Sequence, residues 1–363
     1  MAKPPITANQ VTLLRLLLLP IGGILMYGPT AAKWTAIVFM TFLGFTDYID
    51  GWLARRYGST ELGRLMDPIA DKVFVMVCFM PFTDLYMPES TRPWLFPWQV
   101  GLLLSREYVI TALRSAYERR HISPRTTLLA KIKAWAQMAG GGVLYLLRLL
   151  PERTITWVLI IGTALPILLS VGRYAIKGSF WRGALIFAGW ELATLIPLVL
   201  FGPETAVQTL ILTVIGVTWL SGWDYIAPAL PLFTRGQLDR SDWVRLLGGL
   251  LVPVLLIVAQ ACGHLPTWAI MLTMGLEMAV GGLDNLLCQN SAQSSALVWG
   301  VRVGLVSVLT LLAMLRPGDP SWPGTGLMVA AGTVSLLGTA LEFYRGRSYY
   351  MQEPAPGSAV RPD

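Results

Sequence analysis

Apolar runs of about 20 residues recur along the whole 363-residue chain, each long enough to cross the hydrocarbon core of a bilayer. Few folds are compatible with that. Inside a bilayer every backbone N–H and C=O must find a partner within the protein, which leaves helices and closed barrels. Runs of this length are helical spans. Twelve are expected, near 11–28, 34–56, 70–87, 96–115, 128–149, 155–173, 183–202, 205–226, 242–262, 266–288, 296–315 and 325–345. The expected fold class is therefore all-α, a polytopic membrane protein. Hydrophobic residues make up 54% of the chain and charged residues 13%, against about 25% charged in a soluble domain. That is too few to cover a water-facing surface. The first run follows Lys3 with no small-residue cleavage site after it, and reads as a retained helix.

The net charge of +7 is read as orientation and anionic ligands before nucleic acid. With the N-terminus in the cytoplasm, the inside segments receive Lys3, Arg55, Arg56, Arg64, Lys72, the cluster from Arg114 to Lys133, Arg173, Lys177, Arg182, Arg235, Arg240, Arg245, Arg345, Arg347 and Arg361. Outside fall only Lys33, Arg92, Arg148, Arg153 and Arg316. This asymmetry predicts an even number of spans with both termini inside and the stretch 47–71 at the cytoplasmic face; the expected location is a bacterial cytoplasmic membrane. Cys78, Cys262 and Cys288 show no metal-ligand spacing, and His121 and His264 lie far apart. Neither set suggests a metal centre or a catalytic histidine.

The chemistry concentrates in FTDYIDGWLARRYGSTELGRLMDPIADK. Asp47 and Asp50 are three apart near the end of one helix. Asp67 and Asp71 are four apart near the start of the next, so each pair shares a helix face. Gly58, Ser59 and Thr60 suit a turn that lets the pairs meet. Four carboxylates so close stay ionised only with cations between them, and hard oxygen ligands point to Mg²⁺ or Mn²⁺, with Ca²⁺ as an alternative. Such ions bridge phosphate oxygens, and a two-metal site steadies both attacking and leaving oxygens. Gly51 and Ala54 remove bulk about one turn apart. Arg55 offers a fork of donors to phosphate, and Gly63 lets the second helix pack close to the first. A wet helix end with aspartates paired to nearby arginines would explain one such residue better than four in two facing pairs.

The same stretch resembles the signature of the CDP-alcohol phosphotransferase family, on Asp47, Asp50, Gly51, Ala54, Arg55, Gly63, Asp67 and Asp71. The spacer 56–62 is about one residue shorter than expected of close members. The resemblance implies transfer of a phosphoalcohol from a CDP-alcohol, usually CDP-diacylglycerol, to an acceptor hydroxyl with release of CMP. It also implies two Mg²⁺ or Mn²⁺ ions on Asp47, Asp50, Asp67 and Asp71, with Asp71 as general base. Gly51, Ala54, Arg55 and Gly63 would line the cytidine and diphosphate site, and the protein would be a homodimer.

Other segments resemble the subgroup that makes phosphatidylglycerophosphate. Asn9, Thr12 and Arg15 would share one face of the first helix. In SREYVITALR (105–114) and AKIKAWAQM (130–138), Arg106, Arg114, Lys131 and Lys133 would bind the phosphate of sn-glycerol 3-phosphate. Ala130 and Ala134 depart from the Gly and Thr often found there. SGWDYI (221–226) resembles the end of the sixth and last helix of that subgroup.

The implied organisation is a six-helix core at 1–230 with a two-helix insertion at 150–204, an additional transmembrane unit of unassigned role at 231–350, and a disordered tail at 351–363. Within the additional unit Glu277 and Asp284 share a face and could pair with Arg302; Glu191 lies in the insertion. Three alternatives stay open: another acceptor (an inositol phosphate, phosphatidylglycerol or serine), an intramembrane prenyltransferase, and a cation transporter.

Overall fold

Helix α1 (Ala8–Leu25) begins where Thr7 caps it. The Thr7 hydroxyl accepts from the Gln10 N–H, and the Gln10 side chain accepts from the Thr7 N–H, a reciprocal capping box. Among the described residues eleven helices follow: α2 (Thr30–Tyr57), α3 (Glu61–Phe79), α4 (Pro97–Glu118), α5 (Leu128–Leu149), α6 (Glu152–Lys177), α7 (Arg182–Phe201), α8 (Pro203–Thr234), α9 (Arg240–Ala261), α10 (Thr267–Gln289), α11 (Ala296–Met314) and α12 (Gly324–Tyr350). A 3-10 turn, Met80–Thr83, closes α3, and Tyr86 forms a lone antiparallel bridge with Pro93. The computed structural model describes residues 7–351 apart from 59, 89, 121, 123–127, 237, 239, 291, 293–295 and 317. The tail expected to be disordered lies, beyond Met351, outside the described residues.

The protein is an all-α polytopic membrane protein. Among the described residues, α1 and α6 to α12 are long and apolar enough to cross a membrane. Helices α2 to α5 fall short of that measure, and they carry Asp47, Asp50, Arg55, Asp67, Asp71, Arg106, Arg114, Lys131 and Lys133.

One boundary differs from the apolar pattern. Helix α3 starts at Glu61, not near residue 70. Thr60 caps it, its Oγ1 accepting from the Gly63 N–H at 3.0 Å, and a side-chain cap starts a helix whatever the polarity of its first turns. Asp67 and Asp71 therefore lie well inside α3. The connection from α2 is only 58–60, entered through Gly58 at φ +99°, a conformation that favours glycine.

Packing follows small residues, which let helix backbones approach in a membrane. Helix α1 lies between α2 and α3 and packs on both. A Cβ at Gly22 of α1 would sit 2.2 Å from Met40 Sδ of α2. Helix α8 packs on α4 and α5, α6 pairs with α7, and α7 leans on α8. At Gly140 of α5 a Cβ would meet Val214 of α8 at 2.7 Å. Helices α9 to α12 pack on one another and cover α4 with α9, and both α3 and α4 with α10.

A buried ionic set joins three of these last helices. Glu277 (α10) pairs with Arg302 (α11) and accepts from Ser335 Oγ (α12) at 2.9 Å. Glu342 (α12) brings a second carboxylate, its Oε1 lying 3.9 Å from Arg302 Nε. The expected Glu277–Arg302 pair is present, and Glu342 is a member that the spacing argument did not include. Glu191 (α7) is buried against Gly162 of α6. Removing one member of a buried pair strands the other charge, at about 3–5 kcal/mol. Arg302→Met is therefore expected to lower the thermal midpoint in detergent by more than the triple variant Glu277→Gln/Arg302→Met/Glu342→Gln. Equal losses would contradict this.

Candidate active site

The two acidic helices are joined through α1. Arg15, only 2% exposed, points its guanidinium between them. Its Nη1 donates to Asp47 Oδ1 at 2.7 Å, and its Nη2 lies 3.4 Å from Asp71 Oδ1 and 3.8 Å from Asp50 Oδ2. One turn earlier, Thr12 Oγ1 lies 3.0 Å from both Asp50 Oδ2 and Asp67 Oδ1. A hydroxyl has one proton to give, so Thr12 serves one of those carboxylates at a time. A further turn back, Asn9 Oδ1 accepts from Thr60 Oγ1 at 2.9 Å, which ties the α3 cap to α1. Asn9, Thr12 and Arg15 thus form one face of α1, as their spacing predicts. The Asp47–Asp50 and Asp67–Asp71 pairs meet across that face and not through the turn at 58–60.

Burial divides the carboxylates. Asp50 is 4% exposed, whereas the side chains of Asp47 and Asp71 are 48% and 59% exposed. Those two, with Arg15, open on a cavity of about 110 Å³ that is also lined by Lys72, Glu107 and Lys133. Lys133 Nζ donates to Glu107 Oε1 at 2.6 Å, and Lys72 Nζ donates to Thr111 Oγ1 at 2.5 Å. Glu107 is buried and also takes Arg106 Nη1 at 3.3 Å. One small space is therefore lined both by the Asp47, Asp71 and Glu107 carboxylates and by the Lys72 and Lys133 side chains.

The remaining candidate residues are spread more widely. Gly51 makes room for Arg55, whose Nη1 would lie 3.4 Å from a Cβ there; Ala54 is half-buried and Arg55 exposed on the same outer turn of α2. Gly63 faces α1: a Cβ would sit 2.9 Å from Asn9 Oδ1. Its close approach is to α1, where the sequence suggested α2, because α1 is wedged between the two. Arg106 does not line the cavity itself: it pairs with Glu107 and donates from Nη2 to Ser221 Oγ of α8 at 3.1 Å. Arg114 lies over the Tyr225 ring and donates to its hydroxyl at 3.3 Å. Lys131 is exposed on the first turn of α5, and only Lys133 of the four basic candidates lines the cavity. Lys72 and Glu107 were not among the candidates. Each follows a residue that was, Asp71 and Arg106. The available signal was a charged residue within a span, which needs a partner in the protein.

No three of His, Cys, Asp and Glu gather as a ready cation cage among the described residues. The donor set nevertheless fits a hard divalent ion. All four side chains offer carboxylate oxygen, and they already surround a positive group. Arg15 Nε and Nη2 are buried without a hydrogen-bond partner, so much of that guanidinium is held by charge alone and is free to re-pair.

The residues of this site fall within a match to a known family. A family profile described as CDP-alcohol phosphatidyltransferase matches residues 5–168. The CDP-diacylglycerol–glycerol-3-phosphate 3-phosphatidyltransferase of Cereibacter sphaeroides is 29% identical over 231 residues, 61% of this chain and 95% of the relative. Proteins of the same name from Shigella flexneri serotype 5b and Escherichia coli K12 are each 32% identical, over 43% and 36% of this chain and 81% and 71% of their own lengths. No solved structure matches significantly. Both the acidic helices and the chain segments that hold them thus have counterparts in known transferases, and the chain belongs to the CDP-alcohol phosphatidyltransferase family.

Proposed function

We propose that this enzyme transfers the phosphatidyl group of CDP-diacylglycerol to a hydroxyl of sn-glycerol 3-phosphate, releasing CMP and making phosphatidylglycerophosphate. The observation that carries the reading is the cavity in which Asp71 faces Lys72 and Lys133. A base beside two cations suits an acceptor that brings both a hydroxyl and a phosphate. Serine would bring a single carboxylate together with an ammonium group, a poorer match to two lysines than a phosphate dianion.

In this reading Asp71, exposed to the cavity, takes the proton of the acceptor hydroxyl as its oxygen attacks the phosphatidyl phosphorus. The new P–O bond replaces the diphosphate P–O bond, and CMP leaves with the electron pair. Lys133, steadied by Glu107, and Lys72 hold the acceptor phosphate, which fixes the hydroxyl near Asp71. Arg55, Gly51 and Ala54 lie on the next turn of α2 and form the approach for the cytidine diphosphate. Asp47, Asp50, Asp67 and Asp71 would hold Mg²⁺ or Mn²⁺, which when bound neutralises the diphosphate and the leaving CMP. Arg15 keeps the carboxylates in register by balancing their charge.

The catalytic unit in this proposal is α1 to α5 with α8, residues 1–230. Helices α6 and α7 (150–204) are an inserted hairpin, and α9 to α12 (231–350) are an added unit. Its support is the contact of α8 with α4 and α5, including Gln137 Nε2 to Thr218 Oγ1 at 3.3 Å. The excess of Lys and Arg in the segments read as inside supports a cavity that opens at the cytoplasmic face.

Purified protein with CDP-diacylglycerol and Mg²⁺ or Mn²⁺ is expected to release CMP with glycerol 3-phosphate and not with serine, inositol phosphate or phosphatidylglycerol. Asp71→Asn is expected to abolish that release; full activity would refute the assigned base. Lys133→Met is expected to raise KM for glycerol 3-phosphate by about ten-fold or more, as loss of a charge-assisted hydrogen bond does, with KM for CDP-diacylglycerol unchanged. Arg15→Met should make the protein more dependent on divalent metal for thermal stability than wild type. An EDTA titration of the melting midpoint that gives the same dependence for both would contradict the charge-balancing role.

A further inference from the structure

The added unit α9 to α12 lies beyond the family match at 5–168, yet its helix α10 packs on α3 and α4, which supply Asp71, Lys72 and Glu107 to the cavity. Helix α10 runs along one face of α4 and is fastened at three levels. Tyr108 Oη donates to the Met274 carbonyl at 2.9 Å, and Ser115 Oγ donates to Asn285 Oδ1 at 2.6 Å. Between them, Gly281 passes Thr111 so closely that a Cβ at 281 would lie 2.9 Å from Thr111 Cγ2. Residues 108, 111 and 115 share one helix face. The neighbouring Gly282 meets α3 in the same way: a Cβ there would lie 3.0 Å from Ile69 Cγ1, between Asp67 and Asp71 in the chain. Thr111 is the residue whose Oγ1 accepts from Lys72, one of the two lysines of the cavity.

We propose that α10 is part of the active-site scaffold: through the Gly281–Thr111 contact it sets the position of Lys72, and so the affinity for the phosphate of the acceptor. This rests on the reading of Lys72 and Lys133 as the acceptor-phosphate cations. Gly281 is then a positioning residue that touches no substrate. The pair at 281 and 111 has the form of a packed joint. Thr111 Cγ2 fills the space a side chain at 281 would need, while its Oγ1 accepts from Lys72 and donates to the Glu107 carbonyl at 2.6 Å. A methyl group added at 281 must push Thr111, because distances below 3.0 Å between such carbons are not tolerated, and Lys72 moves with it.

The test is a double-mutant cycle on the full chain in detergent or nanodiscs. Gly281→Ala is introduced into the wild type and into Thr111→Ser, which lacks Cγ2 but keeps the hydroxyl. In the wild-type background Gly281→Ala is expected to raise KM for the acceptor about ten-fold, with KM for CDP-diacylglycerol within about two-fold. In the Thr111→Ser background the same change should have no effect on either. Gly304→Ala, on α11 with open space around it, should leave both constants unchanged. Should Gly281→Ala fail to fold, Asn285→Ala removes the neighbouring fastening and is expected to raise the same KM selectively. The proposal is overturned if the acceptor KM does not change, if both KM values rise together, or if Thr111→Ser fails to cancel the effect. The assay uses whichever acceptor the wild type turns over. A wild type inert towards glycerol 3-phosphate but active with another phosphorylated acceptor would remove the proposed acceptor while leaving this coupling open to the same measurement.

Discussion

A single buried guanidinium holds the acidic end of this protein together. Four carboxylates on two helices repel one another, and in a water-poor setting nothing in α2 or α3 alone would bring them close. Helix α1 supplies the remedy by lying between them with Arg15 turned inward and Thr12 one turn away. The hydrogen bond from Thr60 to Asn9 then fixes where α3 begins, and that sets the depth of Asp67 and Asp71. Helix register, turn length and the opening of the cavity follow from this central contact. The same contact explains why Gly63 is small: the α3 backbone must pass close beside Asn9.

Much of this was legible in the sequence. Helical spans announce themselves because the bilayer forces every backbone group to pair locally, and the four aspartates announce themselves because charge in an apolar chain demands a reason. Asn9, Thr12 and Arg15 were visible as one helix face, but spacing within a helix says nothing about what that face meets. That is why Arg15 could be placed on α1 and not among the carboxylates. Arg106 shows the converse. A buried arginine beside an expected phosphate site looks like a ligand, yet its partners Glu107 and Ser221 come from the adjacent position and from α8, 115 residues away. Lys72 was hidden by its neighbour: next to an aspartate it reads as that residue's counter-ion, and its contact with Thr111 exists only once α3 and α4 are packed.

The added helices α9 to α12 carry no sequence signature of a function, and their role shows only in contacts. They have an ionic set of their own at Glu277, Arg302 and Glu342, which locks α10, α11 and α12 to each other. A rigid unit is what α10 needs behind it if its glycines are to hold α3 and α4 in close register.

The uneven polarity of the helices has a consequence for how the chain is made. Helices α2 to α5 are less apolar than the eight that qualify as spans on their own, and a segment with several charges enters a bilayer poorly unless neighbours shield it. Their shields are α1, made before them, and α8, α9 and α10, made long after. The packing around α3 and α4 is therefore complete only with residues as far along the chain as Asn285.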